Sequence, residues 1–177
     1  ADQLQTAVLQ AQGVLNTMDD WQKVAPELKE SNFLPATWKG VPIGGKTYGI
    51  PLYLYQMAIY YNKELVKKYN LQYVLDDGYV TIDEIKGLKG KLPKDVYGLT
   101  YGNLPWAFMS LLYGAGGTLE NDMDDLTKDV WRKPMQKLKD AYDTGGVGPM
   151  DVAVEHACRC GKAVFAQLGT WAQGNMS

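Results

Sequence analysis

Gly44-Gly45-Lys46-Thr47-Tyr48-Gly49-Ile50-Pro51, followed by Met57-Ala58-Ile59-Tyr60-Tyr61-Asn62-Lys63-Glu64-Leu65, is the stretch from which the fold can be read. Val41-Pro42-Ile43 and Lys46–Ile50 flank a glycine pair. That pattern predicts a hairpin, because adjacent glycines supply the positive φ that both centres of a tight turn require. Pro51 interrupts it. Met57–Tyr61 is a second β-rich run. Asn62 then predicts a helix over Lys63–Tyr69, since its side-chain oxygen can accept a hydrogen bond from a free first-turn N–H, and Asn70 suits the stop.

Towards the N-terminus, Leu4, Ala7, Val8 and Ala11 predict a short amphipathic helix ended by Gly13. Asp19-Asp20 place acidic groups where a further helix would begin. Trp21, Val24, Ala25 and Leu28 would form its apolar face, and Pro26 threatens its continuity.

Towards the C-terminus, Thr81 and Glu84 match a capping box, whose helix would run towards Leu92 and stop before Pro93. Tyr97–Tyr101 reads as a strand. Pro105 suits the first position of a helix through Leu112. Leu138, Ala141 and Tyr142 mark another helix, with Pro134 expected near its start because a mid-helix proline costs about 3 kcal/mol. Val152–Cys160 reads as a helix and Ala163–Leu168 as a strand. This alternation predicts an α/β layered domain with a largely parallel sheet. Ligands of such sheets bind beyond the carboxyl ends of strands. Two segments hold that position, Gly102-Asn103-Leu104-Pro105-Trp106 and Gly169-Thr170-Trp171, and each brings a tryptophan.

Composition narrows the function. The 177 residues are 46% hydrophobic and 21% charged, as expected of a folded domain, with net charge −2. Basic residues do not cluster among aromatics, so nucleic acid is not an expected partner. No apolar run approaches the roughly 18 to 20 residues that span a bilayer. Ala1-Asp2-Gln3-Leu4 carries neither a basic nor an apolar leader region, which reads as a mature, truncated or cytosolic start. Tyr and Trp number 12 and 5 against 3 Phe. Rings with a polar tip suit half-exposed clefts, where a face packs while an edge stays wet.

Nothing reads as catalytic. The single histidine, His156, stands beside Glu155 on a helix, and no nucleophile-elbow, phosphate-loop or zinc-protease motif occurs. Glu120–Asp125 lacks the central glycine and closing glutamate of a calcium loop. Cys158 and Cys160 lie about 200° apart on a helix and cannot pair well with each other, nor do they supply four metal donors. No cofactor or metal is expected.

The tract Gly45-Lys46-Thr47-Tyr48-Gly49-Ile50-Pro51 with Ile59-Tyr60-Tyr61-Asn62-Lys63-Glu64-Leu65 resembles family 1 extracellular solute-binding proteins of ABC importers, the maltose-binding-protein-like family. Thr81–Glu84, the tract from Trp106 through Leu111-Leu112 to Gly116-Gly117, Ala157 with Gly161-Lys162-Ala163, and Gly169-Thr170-Trp171 follow in the same order. The resemblance covers roughly residues 10 to 175. It implies a periplasmic-binding-protein-like α/β fold, with a three-layer sheet-and-helix second lobe and part of the first lobe. Residues 1–52 would be partial lobe one, 53–56 the hinge crossing and 57–177 most of lobe two. Chains of this family are about twice as long, so part of the cleft would be missing and apolar surface could be exposed.

The same resemblance implies a small-molecule sugar as ligand, a membrane-embedded ABC permease as partner, and a monomer unless truncation exposes apolar surface. It places the protein in the periplasm or outside the cell, with lipid anchoring of a full-length parent as one option. Carried over by position, Trp171, Trp106, Tyr55, Gln56, Asn103 and Thr170 are the expected ligand-binding residues, with Gln173 a further polar candidate. Cys158 stands where the family usually has a larger apolar side chain. A pyranose offers an apolar C–H face to a ring and a hydroxyl rim to amides and hydroxyls. The alternatives are a non-sugar solute such as a peptide or polyamine on the same scaffold, or a domain with only a structural or interaction role. A glycosidase would need two facing carboxylates, and the tryptophan loops contain none.

Overall fold

The computed structural model describes residues 3–18, 21–102, 105–148 and 154–175. They form two compact units, Ala1–Leu54 and Tyr55–Ser177.

The first unit contains helices α1 (Gln3–Ala11), α2 (Trp21–Val24) and α3 (Pro35–Trp38), then strands β1 (Pro42–Ile43) and β2 (Lys46–Thr47). The hairpin forms as its turn residues dictate: β1 and β2 pair antiparallel, and Gly44 and Gly45 take φ of 57° and 77°. The second helix stops at Val24, shorter than the apolar pattern suggested, because Pro26 cannot donate to the ladder. Asp19 and Asp20 lie outside the described residues. Trp38, stacked on Phe33 at 5.2 Å, is the one buried residue among those described in this unit. Val8, Val14, Leu34 and Leu52 remain exposed.

The second unit holds β3 (Met57–Tyr61), α4 (Lys63–Lys68), α5 (Ile82–Leu88), β4 (Tyr97–Tyr101), α6 (Pro105–Gly114), α7 (Leu119–Asp122), α8 (Asp129–Asp143), α9 (Val154–Arg159) and β5 (Ala163–Gly169). Local chemistry sets the helix starts. Asn62 Oδ1 accepts from the Leu65 N–H at 3.0 Å, and its Nδ2 donates to the Cys158 carbonyl at 3.0 Å. Asn70 closes the following turn at φ 54°. Both halves of the Thr81–Glu84 capping box are formed, and α5 ends at Leu88, a turn short of the expected Leu92. Pro134 lies inside α8 rather than near its start. The helix extends back to Asp129 because buried Trp131 anchors its first turn, donating Nε1 to the Asp122 carbonyl at 2.7 Å. Lys137 of α8 pairs with Asp83 of α5 at 2.6 Å.

The sheet order is β3-β5-β4, with β4 parallel and β3 antiparallel to β5. The largely parallel sheet expected from the alternation is therefore mixed. Helices α4 and α5, with a 3-10 helix Gln72–Leu75 between them, separate β3 from β4, and the pairings show that β4 runs opposite to β3. All seven residues of β5 are buried. Leu99 and Phe165 pack with Ile85, Leu88 and Leu138, whereas Ala166 and Leu168 pack with Cys158 of α9 and Ala172. Fully burying one such Leu, Ile or Phe is worth about 1.5–3 kcal/mol. No helix among the described residues is long and apolar enough to cross a membrane.

Candidate functional site

β4 and β5 run parallel in register, Tyr101 opposite Gln167, so their carboxyl ends lie side by side. The chain leaves β5 at Gly169 and enters a 3-10 turn, Thr170–Asn175, that carries Trp171. Beyond β4 it enters α6 with Trp106 in the first turn. Met57 of β3 pairs with Gly169, which brings the two preceding residues, Tyr55 and Gln56, to the same end. Thr170 N–H donates to the Gln56 carbonyl at 2.9 Å, and Gln56 N–H donates to Thr170 Oγ1 at 3.2 Å.

Trp171 is the centre of an aromatic group. Its ring lies 5.4 Å from Tyr55 at 81° and 6.3 Å from Trp106 at 85°. Both are edge-to-face contacts, in which the positive ring edge meets the negative face. Trp171 is 39% exposed and Tyr55 48%, so two of the three rings are open to solvent, while Trp106 is half-buried. Three ring surfaces and the Thr170 hydroxyl thus share one end of the sheet. None of these side chains is formally charged.

Of the expected ligand residues, the structure brings together Trp171, Trp106, Tyr55, Gln56 and Thr170. Asn103 lies outside the described residues. Gln56 is joined to Thr170 through its backbone, and its residue is exposed. Gln173 is exposed on the 3-10 turn. The acidic run is occupied locally: Lys128 pairs with Asp122 and Asp124, and Asp125 accepts from Thr127.

Three further residues shape the site. A Cβ added to Gly169 would lie 1.8 Å from Trp171 Cζ3, so the indole rests where only a glycine leaves room. Beneath the rings, Tyr101 Oη and Gln167 Nε2 both donate to the Ala107 carbonyl of α6, the latter at 3.3 Å. Burial pushes the Tyr101 phenol up to about 12, against a smaller opposing pull from the Gln167 hydrogen bond. Two buried side-chain atoms among the described residues lack a partner, Trp106 Nε1 and Gln167 Oε1. A lone amide in the apolar run Ala163–Leu168 is the sequence signal that could have singled out Gln167, since buried polar residues are the informative exceptions.

A cavity of about 710 Å³ lies along the same unit, lined by Met57, Ile59, Ile82, Leu111, Pro134 and Gln167 among others. It is a gap in the helical cover of β3, where Ile59 is 38% exposed. Its walls carry polar and charged groups as well, Thr81, Asp83, Ser110, Lys133 and Lys137 among them.

Residues 1–177 match the family of bacterial extracellular solute-binding proteins. Among solved structures, the chain is similar to the GacH receptor of Streptomyces glaucescens, determined unliganded and with acarbose, at 24% identity and TM-score 0.74 over 95% of this chain and 44% of that one. It is similar to UgpB of Mycobacterium tuberculosis in complex with glycerophosphocholine, at 17% identity and TM-score 0.76 over 95% and 45%. The third is the substrate-binding protein Lmo0181 of Listeria monocytogenes in complex with cycloalternan, at 18% identity and TM-score 0.75 over 92% and 44%. The chain spans less than half the length of each. No curated protein sequence matches it. The chain belongs to the bacterial extracellular solute-binding proteins.

Proposed function

We propose that this member of the extracellular solute-binding proteins contributes one wall of a carbohydrate site, delivering its sugar to a membrane-embedded ABC permease from the periplasm or cell exterior. The single observation that carries this reading is the convergence of Tyr55, Trp106 and Trp171 beyond the ends of β4 and β5. A sugar ring would lay its C–H face on the exposed Trp171 indole and direct hydroxyls to Thr170 and Gln56. Binding in this account is stacking and hydrogen bonding, without a chemical step. We read residues 53–56 as the hinge crossing, residues 1–52 as part of one lobe and 57–177 as most of the other. GacH with acarbose and Lmo0181 with cycloalternan are saccharide complexes and support a sugar.

A second reading has its own support. Ring faces set nearly at right angles also suit a quaternary ammonium group through cation–π attraction, and UgpB was solved with glycerophosphocholine.

Indole N–H resonances of the 177-residue chain, titrated with malto-oligosaccharides, glycerophosphocholine, spermidine and a short peptide, separate these readings. The Trp171 and Trp106 signals are expected to move with the saccharides. Trp171→Ala should weaken binding by about 1–3 kcal/mol, the cost of removing an aromatic anchor. Movement with glycerophosphocholine alone would replace the sugar by a choline ester. Indole signals unmoved by any saccharide would overturn the carbohydrate assignment.

A further inference from the structure

Tyr101 and Gln167 are in-register neighbours on adjacent parallel strands and project from the same face of the sheet. Both donate to one acceptor, the Ala107 carbonyl, in the first turn of α6 and one residue past Trp106. Tyr101 is 2% exposed and Gln167 5%. The Tyr101 ring also packs against Phe108 at 5.9 Å, in the same turn of α6. Gln167 lies two residues before Gly169, on which the Trp171 indole rests. One hydrogen-bonded junction therefore ties the helix that carries Trp106 to the strand that leads into the Trp171 turn.

Gln167 is an uneconomical choice if its role is packing alone. Its Oε1 is buried with no partner, and a buried unsatisfied acceptor is destabilising. An apolar side chain of similar length would fill the space without that defect. The Gln167 amide is engaged through its N–H group, on the Ala107 carbonyl and towards the Tyr101 hydroxyl.

We propose that Gln167 and Tyr101 are positioning residues, which fix the separation and angle of Trp106 and Trp171 by pinning the first turn of α6 to the sheet. The pin acts through Ala107 and touches no solute. Its importance for binding rests on the carbohydrate reading above, but its geometry can be tested without any ligand.

Indoles 6.3 Å apart at 85° are close enough for their excited states to couple, which produces an exciton couplet in circular dichroism. The couplet is assigned as the component lost alike in Trp106→Phe and Trp171→Phe. Gln167→Met removes the pinning N–H together with the unpaired acceptor, and Tyr101→Phe removes the other donor while keeping the ring. In both variants the couplet should lose most of its amplitude. The thermal midpoint of Gln167→Met should stay at or above that of the parent chain, because the defect at Oε1 is gone.

A couplet retained in both variants overturns the proposal. So does a couplet lost only in step with a fallen midpoint, since that is general loosening rather than positioning. If the couplet is lost while saccharide binding is unchanged, the pin stands and the carbohydrate reading fails.

Discussion

Replacing Gly169 by alanine would put a methyl carbon where the Trp171 indole now lies. The added Cβ would stand 1.8 Å from Cζ3, 2.1 Å from Cε3 and 2.2 Å from Cη2. Non-bonded carbons settle at about 3.5–4.0 Å, so the ring must retreat by roughly 1.5 Å or more. The backbone is no obstacle, because Gly169 ends a strand and is not among the residues with positive φ. The ring can move, since Trp171 is 39% exposed and turns about two side-chain bonds. Its retreat forfeits the edge contacts to Tyr55 and Trp106, each worth about 0.5–1.5 kcal/mol and nearer the lower end for half-exposed rings. Removing a glycine restricts the unfolded chain and returns about 0.4–1 kcal/mol. The net change is within about 1 kcal/mol, or roughly 4 °C in melting temperature. Stability is thus expected to hold while the site loses its shape. Thermal unfolding, tryptophan emission and saccharide titration together test this. The expected result is a midpoint shifted by only a few degrees, with red-shifted emission and weaker saccharide binding. Unchanged emission and binding would refute the placement of the indole on Gly169, and a large fall in midpoint would refute the claim that the ring can swing free.

Asn62→Ala removes the α4 cap and one of two hydrogen bonds to the Cys158 carbonyl, which keeps the Gly161 N–H at 3.3 Å. At about 1 kcal/mol for the cap and about 0.5 for the lost bond, urea unfolding should show a loss near 1.5 kcal/mol, and a loss under about 0.5 would contradict the double role. Burial raises the Cys158 thiol to about 11 whereas Cys160 is exposed. A thiol reagent should therefore titrate one cysteine in the native chain and the second only in denaturant, and two fast-reacting thiols would be inconsistent with the α9 packing. Asp95, Asp124, Asp125 and Asp129 are held below the usual 3.8, chiefly by side-chain hydrogen bonds from Lys162, Lys128, Thr127 and Lys133 respectively. Depressed folded-state values mean that their contribution is complete above the unfolded value near 3.8 and is lost as pH falls through the lower folded values. The melting temperature should drop only in that acid range on their account, with the drop blunted by salt, and a midpoint indifferent to acid there would contradict these pairings.

Much of the fold was legible because its signals are local. The Gly44-Gly45 turn, the Asn62 cap, the Asn70 stop and the Thr81–Glu84 box each act within a few residues, where short-range hydrogen bonding and φ preference decide the outcome. Pro134 shows the limit. Its cost was readable, but the anchoring of Trp131 to the Asp122 carbonyl, which lets α8 start before it, was not. The direction of β3 was hidden for a similar reason, since it depends on how the intervening helical segments return the chain.

The site divides in the same way. By itself the sequence determined that tryptophans follow two strands and that neutral polar residues accompany them, because strand ends and residue types are properties of the chain. Only the tertiary structure decided that Tyr55, from the approach to β3, meets those tryptophans, that Gly169 makes room for one indole, and that Tyr101 and Gln167 share the Ala107 carbonyl. Those contacts join residues as many as 116 positions apart. Strand register and helix docking set them, and neither can be read from neighbouring residues.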